Sequence, residues 1–232
     1  MHIHEPVRIH PLQRNLSLAW FRVKRPFLLR RIRRPVLESI DGIPILVLPD
    51  VLNPVVFRSG AFLARTLVQA LPAAGPSPIA LDMGTGSGVC ALFAARLGYR
   101  VVAVDLNPEA VRCANINALM NRMEQQIEIL HGDLFVPVAD RQFDLVLFNP
   151  PFFRGAPKNL FDLAWRDDHV RDRFAAALPG ALKPSGRALI LLSTDGEAAG
   201  MLQALRRAGL SVAPVAQRNF GNEIMTVYQA RQ

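Results

Sequence analysis

The chain has 232 residues, half of them apolar, enough for one domain with a sizeable core and at most a short appendage. No apolar run approaches the ~20 residues of a membrane-spanning helix, and the opening Met1-His2-Ile3-His4-Glu5-Pro6 lacks the charged-then-apolar layout of a secretory signal, so a soluble protein is expected. The net charge of +8 is concentrated in residues 1 to 35, where nine Arg or Lys face Glu5 alone, while the remainder holds eighteen residues of each sign and cancels.

The basic arm alternates its charges with Leu16, Leu18, Trp20, Phe21, Phe27 and Ile32, so it is not a plain polybasic tail. Arg side chains attract phosphate, which suits contact with RNA, an anionic membrane surface or a ribosomal partner; the same pattern suits an amphipathic helix packed on the domain. Pro26 and Pro35 would divide any helix there into short pieces. His2, His4 and His10 have no acid or cysteine at ligand spacing, and no metal site is assigned. Cys90 and Cys113 have no CxxC partner and read as helix or core thiols of a protein kept in a reducing cytoplasm.

From Ile40 to Val47 a β-branched stretch opened by Asp41-Gly42 predicts a strand pair or an extended lead-in. Ser59 reads as the N-cap of a helix to about Leu71, with Phe62, Leu63, Leu67 and Leu71 as its apolar stripe, and Pro72 to Pro78 as a loop. Apolar runs of strand length follow at Ile79 to Met83, Val101 to Leu106, Ile127 to Leu130, Asp144 to Phe148 and Ala188 to Leu192. Helical patterns fall between or after them at Val89 to Leu97, Pro108 to Met120 and Leu202 to Ala208, and Glu223 to Gln229 reads as a final strand. This alternation predicts an α/β fold, a parallel sheet covered on both faces. Residues 1–53 divide off as basic arm and lead-in, and 54–232 as the domain.

The first strand of that series runs into Asp82-Met83-Gly84-Thr85-Gly86-Ser87-Gly88 and then at once into a helix. Glycines at such a turn let the backbone bend and approach a ligand that a Cβ would push away. The next strand ends in Asp105, 17 residues beyond Gly88, where a carboxylate can accept from both hydroxyls of a ribose. Asp133 ends the third strand, so three successive strand ends carry polar groups at the edge where open α/β sheets bind ligands. Asn107 can cap the helix beginning at Pro108 and still face a nucleoside.

The fourth strand ends in Asn149-Pro150-Pro151-Phe152. Two prolines lock φ and remove two backbone donors, so the turn presents a fixed carbonyl and a fixed Asn side chain. A planar nitrogen, amide or exocyclic amine, has a delocalised lone pair; Asn149 Oδ1 and the Pro150 carbonyl can hold its N–H groups, with Phe152 stacked on its flat face.

These motifs, Leu81 to Gly88, Val104 to Pro108, Gly132-Asp133 and Asn149 to Phe152, resemble those of class I S-adenosylmethionine-dependent methyltransferases. More narrowly they are similar to the HemK/PrmC group, which methylates a glutamine side-chain nitrogen of translation release factors. Ala164-Trp165-Arg166, Arg171 to Phe174 and Gly221-Asn222-Glu223 look like its eukaryotic and archaeal branch. The resemblance implies a Rossmann-like seven-stranded sheet with an antiparallel last strand, and S-adenosyl-L-methionine as the cofactor. It implies cofactor binding by Asp82, Gly84, Gly86, Gly88, Asp105, Asn107, Asp133 (on the adenine side), Leu134 and Asn149, and catalysis by Asn149, Pro150 and Phe152. The family's tetrad usually ends in Tyr; Phe152 keeps the ring without the hydroxyl, as in ribosomal RNA guanine methyltransferases.

Two acceptors therefore stand open: a protein glutamine, as in a release factor, and an adenine or guanine amino group of RNA or DNA. A non-catalytic scaffold and a membrane-surface enzyme acting on a small molecule are the remaining alternatives.

Overall fold

The computed structural model describes residues 34–70, 76–152, 155, 162 and 164–232. The basic arm, apart from Arg34 and Pro35, and the start of the loop expected from Pro72 lie outside the described residues.

A hairpin of β1 (Val36–Ile40) and β2 (Ile43–Val47) comes first, turned at Asp41 and Gly42, both at positive φ. After α1 (Ser59–Ala70) the chain alternates through β3 (Ile79–Met83), α2 (Val89–Arg96), β4 (Arg100–Asp105), α3 (Pro108–Met120), β5 (Ile127–His131) and β6 (Phe143–Phe148). It closes with α4 (Val170–Ala181), β7 (Leu182–Ser193), α5 (Ala198–Arg207), β8 (Ser211–Asn219) and β9 (Ile224–Arg231). The seven strands after the hairpin form one sheet in the order β5-β4-β3-β6-β7-β9-β8. β9 runs antiparallel to both neighbours; the other ladders of the sheet are parallel. This is the Rossmann-like seven-stranded sheet that the motifs imply. No helix among the described residues is long and apolar enough to cross a membrane.

Strand side chains alternate between two apolar layers, as period 2 requires. Val101, Ala103, Leu145 and Leu147 face α1, α2 and α3; Val102, Val104, Val146 and Phe148 face α4 and α5, where Phe174 stacks on Phe148 at 4.1 Å between ring centroids. Both faces are covered, which is why the central strands read as largely apolar runs.

Three differences from the sequence reading have physical causes. The hairpin of the lead-in is part of the core: Ile40, Ile43, Ile45 and Val47 are buried in the layer of α1 to α3. Fully buried Asn117 secures it, accepting from Leu46 N at 2.7 Å and donating to Leu46 O at 2.7 Å and Ser87 O at 2.8 Å, which ties β2 to α3 and the glycine turn. Ser59 lies within the first turn of α1 rather than capping it; Phe62 N bonds the carbonyl of Arg58, a residue at φ 65°. Finally, the residue pattern shows neither α4 nor the position of β8, although the resemblance implies a seventh strand, because β8 is a largely exposed edge strand interrupted near Pro214, and α4 opens on charged residues and carries Pro179.

Candidate active site

The strand order reverses between β3 and β6, and the C-terminal ends of β3, β4, β5 and β6 meet there. A solvent-open cleft of about 1080 Å³ lies at this edge, walled by the glycine turn, Asp105 to Asn107, Gly132 to Leu134, Phe148, Asn149, Pro151 and the segment from Asp50 to Pro54.

The glycine turn is anchored to β4: Gly84 N and Thr85 N donate to the Val104 carbonyl at 2.8 and 3.1 Å. Gly84, Gly86 and Gly88 all have positive φ, and space is open where a Cβ on Gly86 would stand. Asp105 accepts from Gly86 N at 2.8 Å and Asn107 N at 2.9 Å. Burial pushes its pKa up, against those backbone donors and nearby His131. Two amide bonds leave lone pairs on each oxygen for a diol. Asn107 caps α3, its Oδ1 accepting from Glu109 N at 3.0 Å, while its Nδ2 holds Asp50 O at 2.8 Å and so fixes the segment that covers the cleft.

Leu134, at φ 47°, and Asp133 line the cleft. Asp133 is ion-paired with Arg173 Nη2 at 2.6 Å, a partner forty residues away that the motif did not indicate. Asp82 and Gly88 stand behind the residues that wall the cleft. Asp82 is buried behind the turn, accepting from Thr85 Oγ1 at 2.6 Å and Ala91 N at 3.0 Å; desolvation pushes its pKa up to about 7. At Gly88 a Cβ would come within 3.2 Å of Ala114 Cβ, so this glycine serves the close approach of the turn to α3.

Asn149 stands on the wall shared by the cleft and a second, solvent-open cavity of about 950 Å³. Its Nδ2 donates to Ser59 Oγ at 3.1 Å; its Oδ1 is buried and has no partner among the described residues. An unpaired buried carbonyl costs about 1–3 kcal/mol, and such groups collect where a ligand completes them. Pro150 and Phe152 line the second cavity with Phe57, whose ring meets Trp165 edge to face at 4.8 Å. Neither Ser59 nor Arg58, Asn222 and Glu223, which also border this cavity, was signalled by a local motif as a site residue; only the fold brings residues 58 and 223 together.

These residues fit a nucleoside sulfonium. Asp105 keeps lone pairs that could accept from a diol, the turn at Gly84 to Gly86 allows close backbone approach, and Leu134 and Phe148 give the cleft apolar lining. The unpaired Asn149 oxygen lies where the donor cleft opens to the second cavity.

Comparison with known proteins agrees with this geometry. The family model described as methyltransferase small domain matches residues 56–216. The Methanocaldococcus jannaschii protein named "Putative protein N5-glutamine methyltransferase MJ0928" is 31% identical over 165 residues, covering 67% of this chain and 79% of that protein. "Methyltransferase HEMK2" of Mus musculus is 29% identical over 179 residues, covering 69% and 83% respectively. Among solved structures, the T. thermophilus 16S rRNA N2 G1207 methyltransferase RsmC, in complex with AdoMet and guanosine, superposes with a TM-score of 0.65 at 22% identity. That match covers 86% of this chain but only 50% of the other, and it speaks for the fold.

Proposed function

We infer that this chain, which belongs to the methyltransferase small domain family and is an S-adenosylmethionine-dependent methyltransferase, methylates the side-chain amide nitrogen of a protein glutamine. The observation that carries this reading is the unpaired, buried Oδ1 of Asn149 at the junction of two cavities. Bound in the cleft, S-adenosylmethionine supplies an electrophilic methyl on a sulfonium. The chain's own residues supply position and electrostatics. Asn149 Oδ1 accepts one N–H of the primary amide and the Pro150 carbonyl accepts the other. The amide plane is thereby held against the Phe152 ring, with the nitrogen lone pair turned towards the cleft. The proton leaving the nitrogen is held against these carbonyl oxygens until solvent takes it.

The Methanocaldococcus relative named for glutamine N5-methylation, matched over most of its length, supports this acceptor. A release factor is the protein substrate we favour, in the cytoplasm, where the free thiols of Cys90 and Cys113 are in keeping. A second reading, methylation of an adenine or guanine amino group, draws on the ring of Phe152 in the second cavity and on the basic residues 1 to 35. Labelled donor is supplied to a lysate with the purified chain, and the product is digested with nuclease or with protease. Label that survives nuclease and is lost to protease is the expected result; label lost to nuclease would replace the glutamine reading with the nucleobase one.

A further inference from the structure

The second cavity has a buried acid in its wall. Glu223, at the entry to β9, is 8% exposed and shares the cavity's lining with Phe57, Phe152 and Met225. Ser193 Oγ donates to its Oε2 at 2.5 Å. The other oxygen, Oε1, has long contacts alone: Asn222 Nδ2 at 3.5 Å and Arg58 Nη2 at 3.6 Å. The guanidinium of Arg58 is drawn away from it, with Nη2 donating to Asn222 Oδ1 at 2.9 Å and the plane lying over Phe220 at 4.6 Å from the ring centroid.

A carboxylate in apolar surroundings is costly until each oxygen has a short donor, and here burial pushes the pKa of Glu223 up. Arg58 retains guanidinium N–H groups beyond those it uses and keeps 37% of its side chain exposed. Asp195 shares this wall, so its two acids outweigh Arg58 and disfavour a phosphate, while the Glu223–Arg58 pair suits a neutral group that donates and accepts side by side. In an extended peptide the N–H and C=O of one residue lie on the same edge of the chain, as they do in an antiparallel ladder.

We propose that Glu223 and Arg58 form a subsite for the backbone of a peptide acceptor, with Glu223 Oε1 accepting an N–H and Arg58 donating to the C=O of one extended residue near the methylated side chain. This rests on the glutamine reading above and adds to it how a protein segment, as distinct from a free amide, is gripped. Asn149 holds the reacting group, and the Glu223–Arg58 pair sets where the chain on either side runs.

The test uses the full chain and acetyl-glycyl-glutaminyl-glycinamide as probe, with transfer kinetics and, separately, calorimetric binding of the peptide to protein loaded with S-adenosylhomocysteine. Glu223→Gln and Arg58→Lys should each weaken peptide binding and raise its KM at least tenfold, exceeding any fall in kcat. S-adenosylhomocysteine binding within about twofold of the parent certifies the fold. Should Glu223→Gln fail that check, Arg58→Lys decides. Peptide binding unchanged in the folded variants, or no binding to the parent chain, overturns the subsite even if methyl transfer to glutamine is seen. Peptide binding that depends on Glu223 with no methyl transferred keeps the subsite and sinks the glutamine reading. Dependence on Glu223 for a short adenosine- or guanosine-containing oligonucleotide in place of the peptide also overturns it.

Discussion

Ser59 Oγ receives a hydrogen bond from Asn149 Nδ2 across ninety residues of sequence, at 3.1 Å, and the Asn149 side chain is thereby set with its oxygen unpaired. Strand β6 delivers the asparagine and the first turn of α1 orients it. Ser59→Ala removes the tether and leaves the donor cleft in place. Its loss should cost about 1 kcal/mol in the transition state, a fall in kcat of roughly five- to tenfold. Donor affinity measured by calorimetry should change less than about threefold; a variant with unchanged kcat would show that the tether does not position Asn149.

Two glycines of the same turn should respond differently. Gly86, at φ 56° with open space where a Cβ would stand, lines the cleft, so Gly86→Ala should cost about 1 kcal/mol of stability and lower donor affinity at least tenfold. Gly88, at φ 80°, meets Ala114 at 3.2 Å, so Gly88→Ala adds a clash to the same strain and should cost about 2–3 kcal/mol in urea unfolding. Equal loss of stability in the two variants would contradict this division of roles.

The buried Asp82 makes a stability prediction with a definite sign. Its folded carboxyl keeps a proton up to about pH 7, against 3.8 for the free group. Across that window the folded state binds the extra proton, so this group's contribution falls as pH rises and is level above about 7. Asp82→Asn can keep both bonds to its oxygen, from Thr85 and Ala91, and removes the titration. Unfolding free energies at pH 5 and pH 8 should therefore fall more in the parent than in Asp82→Asn, by up to about 1.4 kcal/mol per pH unit of the window. Glu223 is pushed the same way and is common to both proteins, whereas Asp105 feels the Asp82 charge, so the difference between the two reports Asp82 together with that coupling. An identical pH dependence would contradict the assignment.

Much of this was legible in the sequence because the central strands are covered on both faces: the apolar runs Val101 to Val104 in β4 and Leu145 to Phe148 in β6 each lead into a polar residue at the site, Asp105 or Asn149, and β3 leads into the glycine turn. The glycine turn, Asp105 and the Asn149 tetrad are local features, and the fold brings all of them to one edge of the sheet. What was not legible depends on distance in sequence or on exposure. Asn117 reads as an ordinary helix residue until β2 is seen beside it, and Asp133 as an available acid until Arg173 pairs with it. Asp82 follows the motif, yet whether its carboxylate faces the ligand or the turn is decided by Thr85 and the start of α2. Strand β8 escaped because an edge strand with one side largely in solvent carries little apolar signal, and Pro214 interrupts what there is.

The most direct test is single-turnover methyl transfer by Asn149→Ala, set beside calorimetric binding of S-adenosylmethionine to the same protein. If Asn149 Oδ1 is the group that holds the acceptor nitrogen, transfer falls by two orders of magnitude or more while the donor Kd stays within about fivefold. Transfer at the parent rate in a variant that still binds the donor would remove the basis of the proposed mechanism.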